Sequence, residues 1–288
     1  MIHRTISRAM QLTCLALVAF ISHAWAAPVA LVTDIQGTAS IEGSQTARAL
    51  EILTELEDGA RVRVEAATRV VVLNHASRQE WVIQGPATVR IDVAGVTAIS
   101  GTTPVHGAVL STADRPGVPT KDGRVAQAGT VMRGATFADW VVVQPAGARV
   151  LETRPEFRWT SLAGATAYKF SLADAGGRVI LESPAGESGF KLPAEIELAR
   201  GLYYTWRVTA QVPGRPAVVR AGALAVADQA TQDEVKLTRP NTADSISRWI
   251  AFGWWLEQQE LKDEARKVWQ HALAQRPEDA RLRRLVDK

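Results

Sequence analysis

The chain has 288 residues, 47% of them hydrophobic and 22% charged, with a formal net charge of +3. That length suits two or three domains, and the composition excludes a largely disordered chain. No Lys/Arg-rich run gives a nucleic-acid footprint. The one cysteine, Cys14, lies in the N-terminal segment, so residues 27–288 have no disulfide, thiolate metal site or cysteine nucleophile.

Residues 1–26 read as a secretory signal. Arg4 and Arg8 precede an apolar run from Leu12 to Ile21, and Ala24-Trp25-Ala26 forms a small-x-small site, with cleavage expected after Ala26. The run is short for a transmembrane helix, and no other stretch approaches about 18 apolar residues. The expectation is an exported, periplasmic protein with no transmembrane segment after cleavage.

Residues 29–93 read as short strands. Val29–Val32 is followed by Gly37, Ala39 and Ile41; Leu53 and Leu56 lead into the turn pair Asp58-Gly59. Arg61–Glu65 alternates with period 2, whereas Val70–Leu73 is apolar on both faces, as expected of a central strand. Trp81–Ile83 and Thr88–Val93 follow, split by Gly85-Pro86. Between 94 and 147 the β pattern continues through Val96, Ala98, Val105 and Val109. Asp114–Pro119 and Lys121–Gly123 read as an exposed loop, and Thr136–Val143 as a strand or a short helix.

Residues 148–228 hold the clearest alternation. In Tyr204–Ala210, Tyr204, Trp206, Val208 and Ala210 share one face, and Phe157–Trp159 and Tyr168–Leu172 repeat the pattern between turn clusters such as Asp174–Gly177 and Pro213–Pro216. This predicts an antiparallel sandwich. A polar stretch, 229–241, reads as a linker with a breaker at Arg239-Pro240-Asn241, and Thr242-Ala243-Asp244 offers a helix start.

Three resemblances attach to these segments. The order Gly37, Leu53-x-x-Leu56-x-Asp58-Gly59, Thr68–Leu73, Trp81–Ile83 resembles the periplasmic FecR-type domain, with Asn74–Ser77 where family members carry an Asp-Gly-Ser turn. It implies stacked β-hairpins over 27–147 and a sensing or scaffolding role at the cell envelope. The sandwich over 148–228 is similar to fibronectin type III and related immunoglobulin-like modules, which serve as spacers or binding surfaces more often than as catalysts. Residues 242–288 resemble one tetratricopeptide repeat: Trp249, Phe252, Gly253, Leu256, Ala265, Trp269, Ala272 and Pro277 occupy the family's spacing. This implies a hairpin of two helices that approach closely at Gly253 and Ala265, with Ala280–Lys288 as a capping helix, and contact with another protein. A single repeat cannot bury its own apolar face and has to stack on something. The expected fold is therefore mainly β with a C-terminal α-helical hairpin.

Ile250 and Trp254 fall on the face that lines the groove in tetratricopeptide arrays. With Glu257 they are the candidate partner-binding residues, unless that face packs on the chain's own sandwich. His75, His106 and His271 lack partners at metal-site or acid–base spacing, Asp58-Gly59 and Asp122-Gly123 lack the surrounding ligands of a calcium loop, and no hydrolase, P-loop or dinucleotide motif occurs. No catalytic, cofactor or metal residues are assigned and no cofactor is expected. The sequence favours a non-enzymatic periplasmic adaptor or sensor with an envelope protein as partner. The alternative is a peptidoglycan or polysaccharide binder, with Trp81 and Trp140 as residues that could stack on sugars.

Overall fold

A computed structural model describes residues 27–43, 47–109 and 140–287. Among these residues the first module has ten strands. β1 (Ala30–Gln36), β4 (Glu55–Leu56), β6 (Arg69–Asn74), β7 (Gln79–Gln84) and β10 (Val105–Val109) form one antiparallel sheet in the order β10-β7-β6-β1-β4. β2 (Ala39–Ile41), β3 (Arg48–Ala49), β5 (Ala60–Val64), β8 (Ala87–Asp92) and β9 (Gly95–Gly101) form a second, in the order β3-β2-β5-β8-β9. The alternation seen in sequence decides what lies between them. Val62, Val64, Val89 and Ile91 meet Val70, Val72 and Ile83 in one core, while Arg61, Arg63 and Arg90 are exposed. β6 is buried on both faces because a helix covers the outer one. Val70 and Val72 face the core, and Leu73 packs on Ala251 of that helix.

The second module is also a sandwich. β11 (Val142–Gln144), β13 (Glu156–Trp159) and β16 (Gly189–Lys191) face a five-stranded sheet of β12 (Arg149–Val150), β14 (Ala167–Asp174), β15 (Val179–Ala185), β17 (Tyr203–Gln211) and β18 (Val218–Val226), ordered β12-β18-β17-β14-β15. β12 runs parallel to β18, and the other pairings are antiparallel. Aromatic rings bridge the two sheets: the Phe157 ring lies 4.6 Å from that of Phe170 and 5.9 Å from that of Trp206. Of Thr136–Val143, read as strand or helix, Val142 opens β11 and Trp140 is buried in this core; residues 136–139 lie outside the described residues, as do the loops read at 114–119 and 121–123.

Four helices close the chain: α1 (Gln229–Thr238), α2 (Ile246–Gln258), α3 (Lys262–Gln275) and α4 (Ala280–Val286). The stretch read as a linker is thus largely helical. Asp228 caps α1 by accepting the Thr231 N–H at 2.8 Å, and Gln232 donates to the Leu151 carbonyl, so the polar helix is held by the second module. α2 begins at Ile246, later than the Thr242 start, because Ser245 is the residue that caps it, accepting from the Arg248 N–H. α2 and α3 meet at Gly253, where a Cβ would lie 2.5 Å from the Trp269 ring. Leu256, Ala265 and Trp269 are buried beside it, and the Trp269 indole donates to Glu257 at 3.0 Å.

Candidate interaction surfaces

Helix α2 lies against the outer face of the first module's β1-β6-β7 sheet. Ile250 is 0% exposed and sits in one apolar cluster with Trp255, Leu256 and Ile52, flanked by Ile35 and Leu53. Trp254 is half-buried and stacks on His75 with ring centroids 5.3 Å apart, while Glu257 is half-buried and holds Trp269. The three residues read as partner-binding therefore do not form one open surface. Ile250 faces the first module, and the other two are engaged within the chain. This is the stacking that a single helical hairpin requires, and the first sheet supplies it.

Polar contacts run through the same junction. Ser247, Thr33 and Glu80 are all buried: the Ser247 hydroxyl bonds to Thr33 Oγ1 at 2.6 Å and to the Glu80 carboxyl, and Thr33 Oγ1 reaches the Val71 carbonyl at 3.4 Å. Burial pushes the Glu80 carboxyl above its ordinary range, against hydrogen bonds and the charges of Arg248 and Arg69. Asp34, 2% exposed, accepts from Arg69 at 3.1 Å and from Arg276 at 3.5 Å, and Arg284 pairs with Glu51 at 2.9 Å. Burial also pulls the His75 imidazole below its usual value, opposed by Glu55.

The other end of the helical unit is tied to the second module. Asp263 accepts the Ala146 N–H at 3.2 Å, the Glu260 carbonyl accepts the Arg149 N–H at 3.4 Å, and Arg149 donates to Thr231 at 2.9 Å. Gly147 passes so close to the Glu260 carbonyl that a Cβ would collide with it. Arg239 and Lys267 both bond the buried Glu264, and Lys267 reaches Glu152 at 3.6 Å. The helices thus sit between the two sandwiches and contact both.

The two tryptophans read as sugar-stacking candidates are packed. Trp140 is 1% exposed and carries the Arg220 guanidinium 5.4 Å over its ring; Trp81 is half-buried, with the His106 ring 4.1 Å away and Gly95 beneath it. Among the described residues, the exposed aromatic is elsewhere. Tyr203 and Leu202 line an open cleft of about 330 Å³ at one end of the second sandwich, with Asp174, Arg178 and Glu197 around it. The Arg178 N–H and side chain and the Gly176 N–H hold the Asp174 carboxyl below its ordinary range. Nothing in the sequence pattern marked this cleft, because its walls come from two separate turns and a strand end.

The His271 ring lies tilted, 4.2 Å from that of Trp249, so His75, His106 and His271 each lie beside a tryptophan. Among the described residues no cluster of three His, Cys, Asp or Glu could hold a metal ion, and no helix is long and apolar enough to cross a membrane. No family model and no curated protein matches the chain. Among solved structures, the chain is similar to CopC from Methylosinus trichosporium OB3b at 17% identity, over 31% of this chain and 95% of that one, with a TM-score of 0.25. A score so low leaves the functional reading to the chain's own residues.

Proposed function

We propose that the chain is a non-enzymatic adaptor or sensor of the FecR-like type at the cell envelope, in which the tetratricopeptide-like helices lock two β-modules into one body. The burial of Ile250 against the first module carries this reading. It gives the helical unit an internal task and leaves the β surfaces to meet an envelope partner. A photo-crosslinking residue at Thr97 or Arg207, both exposed on sheet faces, should trap specific envelope proteins, and one at Glu257 should not. Adducts from Glu257 alone would overturn the assignment and return the partner to the helical face.

The second reading is a peptidoglycan or polysaccharide binder, and the cleft at Tyr203 favours it. An exposed ring offers a stacking face, and the flanking acids and Arg178 offer hydrogen-bond partners for sugar hydroxyls. Cosedimentation with purified peptidoglycan that is lost in Tyr203→Ala would support it. Equal cosedimentation of the variant would remove the cleft from consideration.

A further inference from the structure

Glu80 stands out as a buried acid that joins two parts of the chain far apart in sequence. It projects from β7 and meets Ser247 of α2, 167 residues later, and Ser247 in turn meets Thr33 of β1. Ser247 donates to the carboxyl as an ionised acid requires, but a neutral acid can make one hydrogen bond more at this place. When the carboxyl carries a proton, every donor has one acceptor: Glu80 donates to Ser247, Ser247 to Thr33, and Thr33 to the Val71 carbonyl. When the carboxyl is ionised, the Ser247 hydroxyl must turn to it. Thr33 then has a single proton to offer to either Ser247 or Val71, and one acceptor is lost.

The charge itself is poorly matched. The two guanidiniums whose fields reach Glu80 are each paired with another carboxylate: Arg248 of α2 with Asp244 at 2.9 Å, and Arg69 of β6 with Asp34 at 3.1 Å. From β10, the Ala108 backbone hydrogen-bonds the carboxyl and Gly107 lies against the Glu80 Cβ; on the neighbouring β6–β7 turn, His75 sits under Trp254. An ionised carboxylate so placed accepts from Ser247 and the Ala108 backbone, but its burial outweighs these bonds and the two guanidinium fields, whereas the neutral acid completes a hydrogen-bond chain.

We propose that Glu80 is a proton-operated latch between helix α2 and the first β-module, closed when the carboxyl is protonated and loosened when it ionises. The sign follows from linkage. A carboxyl that binds its proton more tightly in the docked state stabilises docking at low pH, and this contribution is lost as pH rises from the ordinary glutamate range through the docked-state value. His75 acts oppositely, since its neutral form is the one that fits, so the comparison has to isolate Glu80.

The test is amide hydrogen exchange over pH 5 to 9 on the 27–288 protein, with His75→Phe in every sample to remove the opposing titration and residue 80 either wild type or substituted, reading protection factors for amides of α2 and β6. With residue 80 wild type, the protein should show an opening constant that rises by up to about tenfold per pH unit as Glu80 titrates, the slope of one proton. Glu80→Gln, whose amide donates to Ser247 as the neutral acid does, should be flat over that window and more protected than wild type at the alkaline end. Glu80→Met, which cannot ionise, should also be flat, and serves if the Gln variant does not fold. A flat wild-type profile would overturn the latch, as would variants that keep the wild-type slope.

Discussion

Asn74 shows how one side chain can decide a junction. It is fully buried at the end of β6; its amide donates to the Asp92 and Val93 carbonyls at 3.1 Å each, and its oxygen accepts the Ser77 N–H at 2.9 Å. The turn thereby ties the first sheet to the second, which a carboxylate at this place cannot do because it has no proton for either carbonyl. Asn74→Asp should cost about 1–3 kcal/mol, seen as a lower urea midpoint at pH 7; an unchanged midpoint would show that the two carbonyls have other donors. The sequence marked Asn74–Ser77 as a turn from residue type, but the bonds to Asp92 and Val93 depend on pairing between distant strands and were not legible. His75, next along, offers a pH test. Its imidazole is held below the usual value by burial, so its contribution to stability is present above about 6.5, the unfolded value, and is lost as pH falls through its lower folded value. His75→Phe keeps a ring for Trp254 to stack on and should remove that part of the acid-side decline in melting temperature; an identical decline in the variant would place its cause elsewhere.

The α2–α3 hairpin was the element most legible in sequence, and Gly253 explains why. A small residue opposite a large ring at fixed helical spacing is a packing requirement that shows directly in residue types, and the structure puts the Gly253 position 2.5 Å, as a would-be Cβ, from Trp269. Gly253→Ala should lower stability although alanine is the better helix former. Overpacking against a fully buried indole costs about 1–3 kcal/mol, against about 1 kcal/mol of helix propensity regained. Calorimetry should show a fall of a few degrees; a rise would mean that Trp269 has room to shift. What covers the outer face of α2 was not legible, since the apolar residues that mark the face are the same whether a partner or the chain's own sheet lies on it. The double-sided apolar run Val70–Leu73 was the available clue, for a strand buried on both faces needs a covering layer. The polar character of α1 hid that helix in the same way: a single buried apolar residue, Val235, anchors it, together with the Asp228 cap and Gln232 on the second module, rather than an apolar stripe.

At the scale of the whole molecule, two β-sandwiches share one helical unit. α2 packs on the first sheet through Ile250 and Ala251, while the α2–α3 turn binds the second module through Glu260 and Asp263. The mainly β architecture with C-terminal helices was readable from alternation and spacing. The arrangement of the modules was not, because it depends on a few contacts between residues far apart in sequence, such as Arg149 with Gln259, 110 positions apart, and Asp34 with Arg276, 242 positions apart. Helices that contact both sandwiches in this way should hold them at one fixed separation. Since Cys14 is the chain's sole cysteine and lies within the first 26 residues, spin labels can be placed uniquely in the 27–288 protein. Labels at Thr97→Cys on β9 and Ser171→Cys on β14, read by pulsed electron–electron resonance, should give one narrow distance distribution that broadens when Ile250→Asp breaks the helix–sheet contact. A broad distribution in the otherwise unaltered protein would contradict the account.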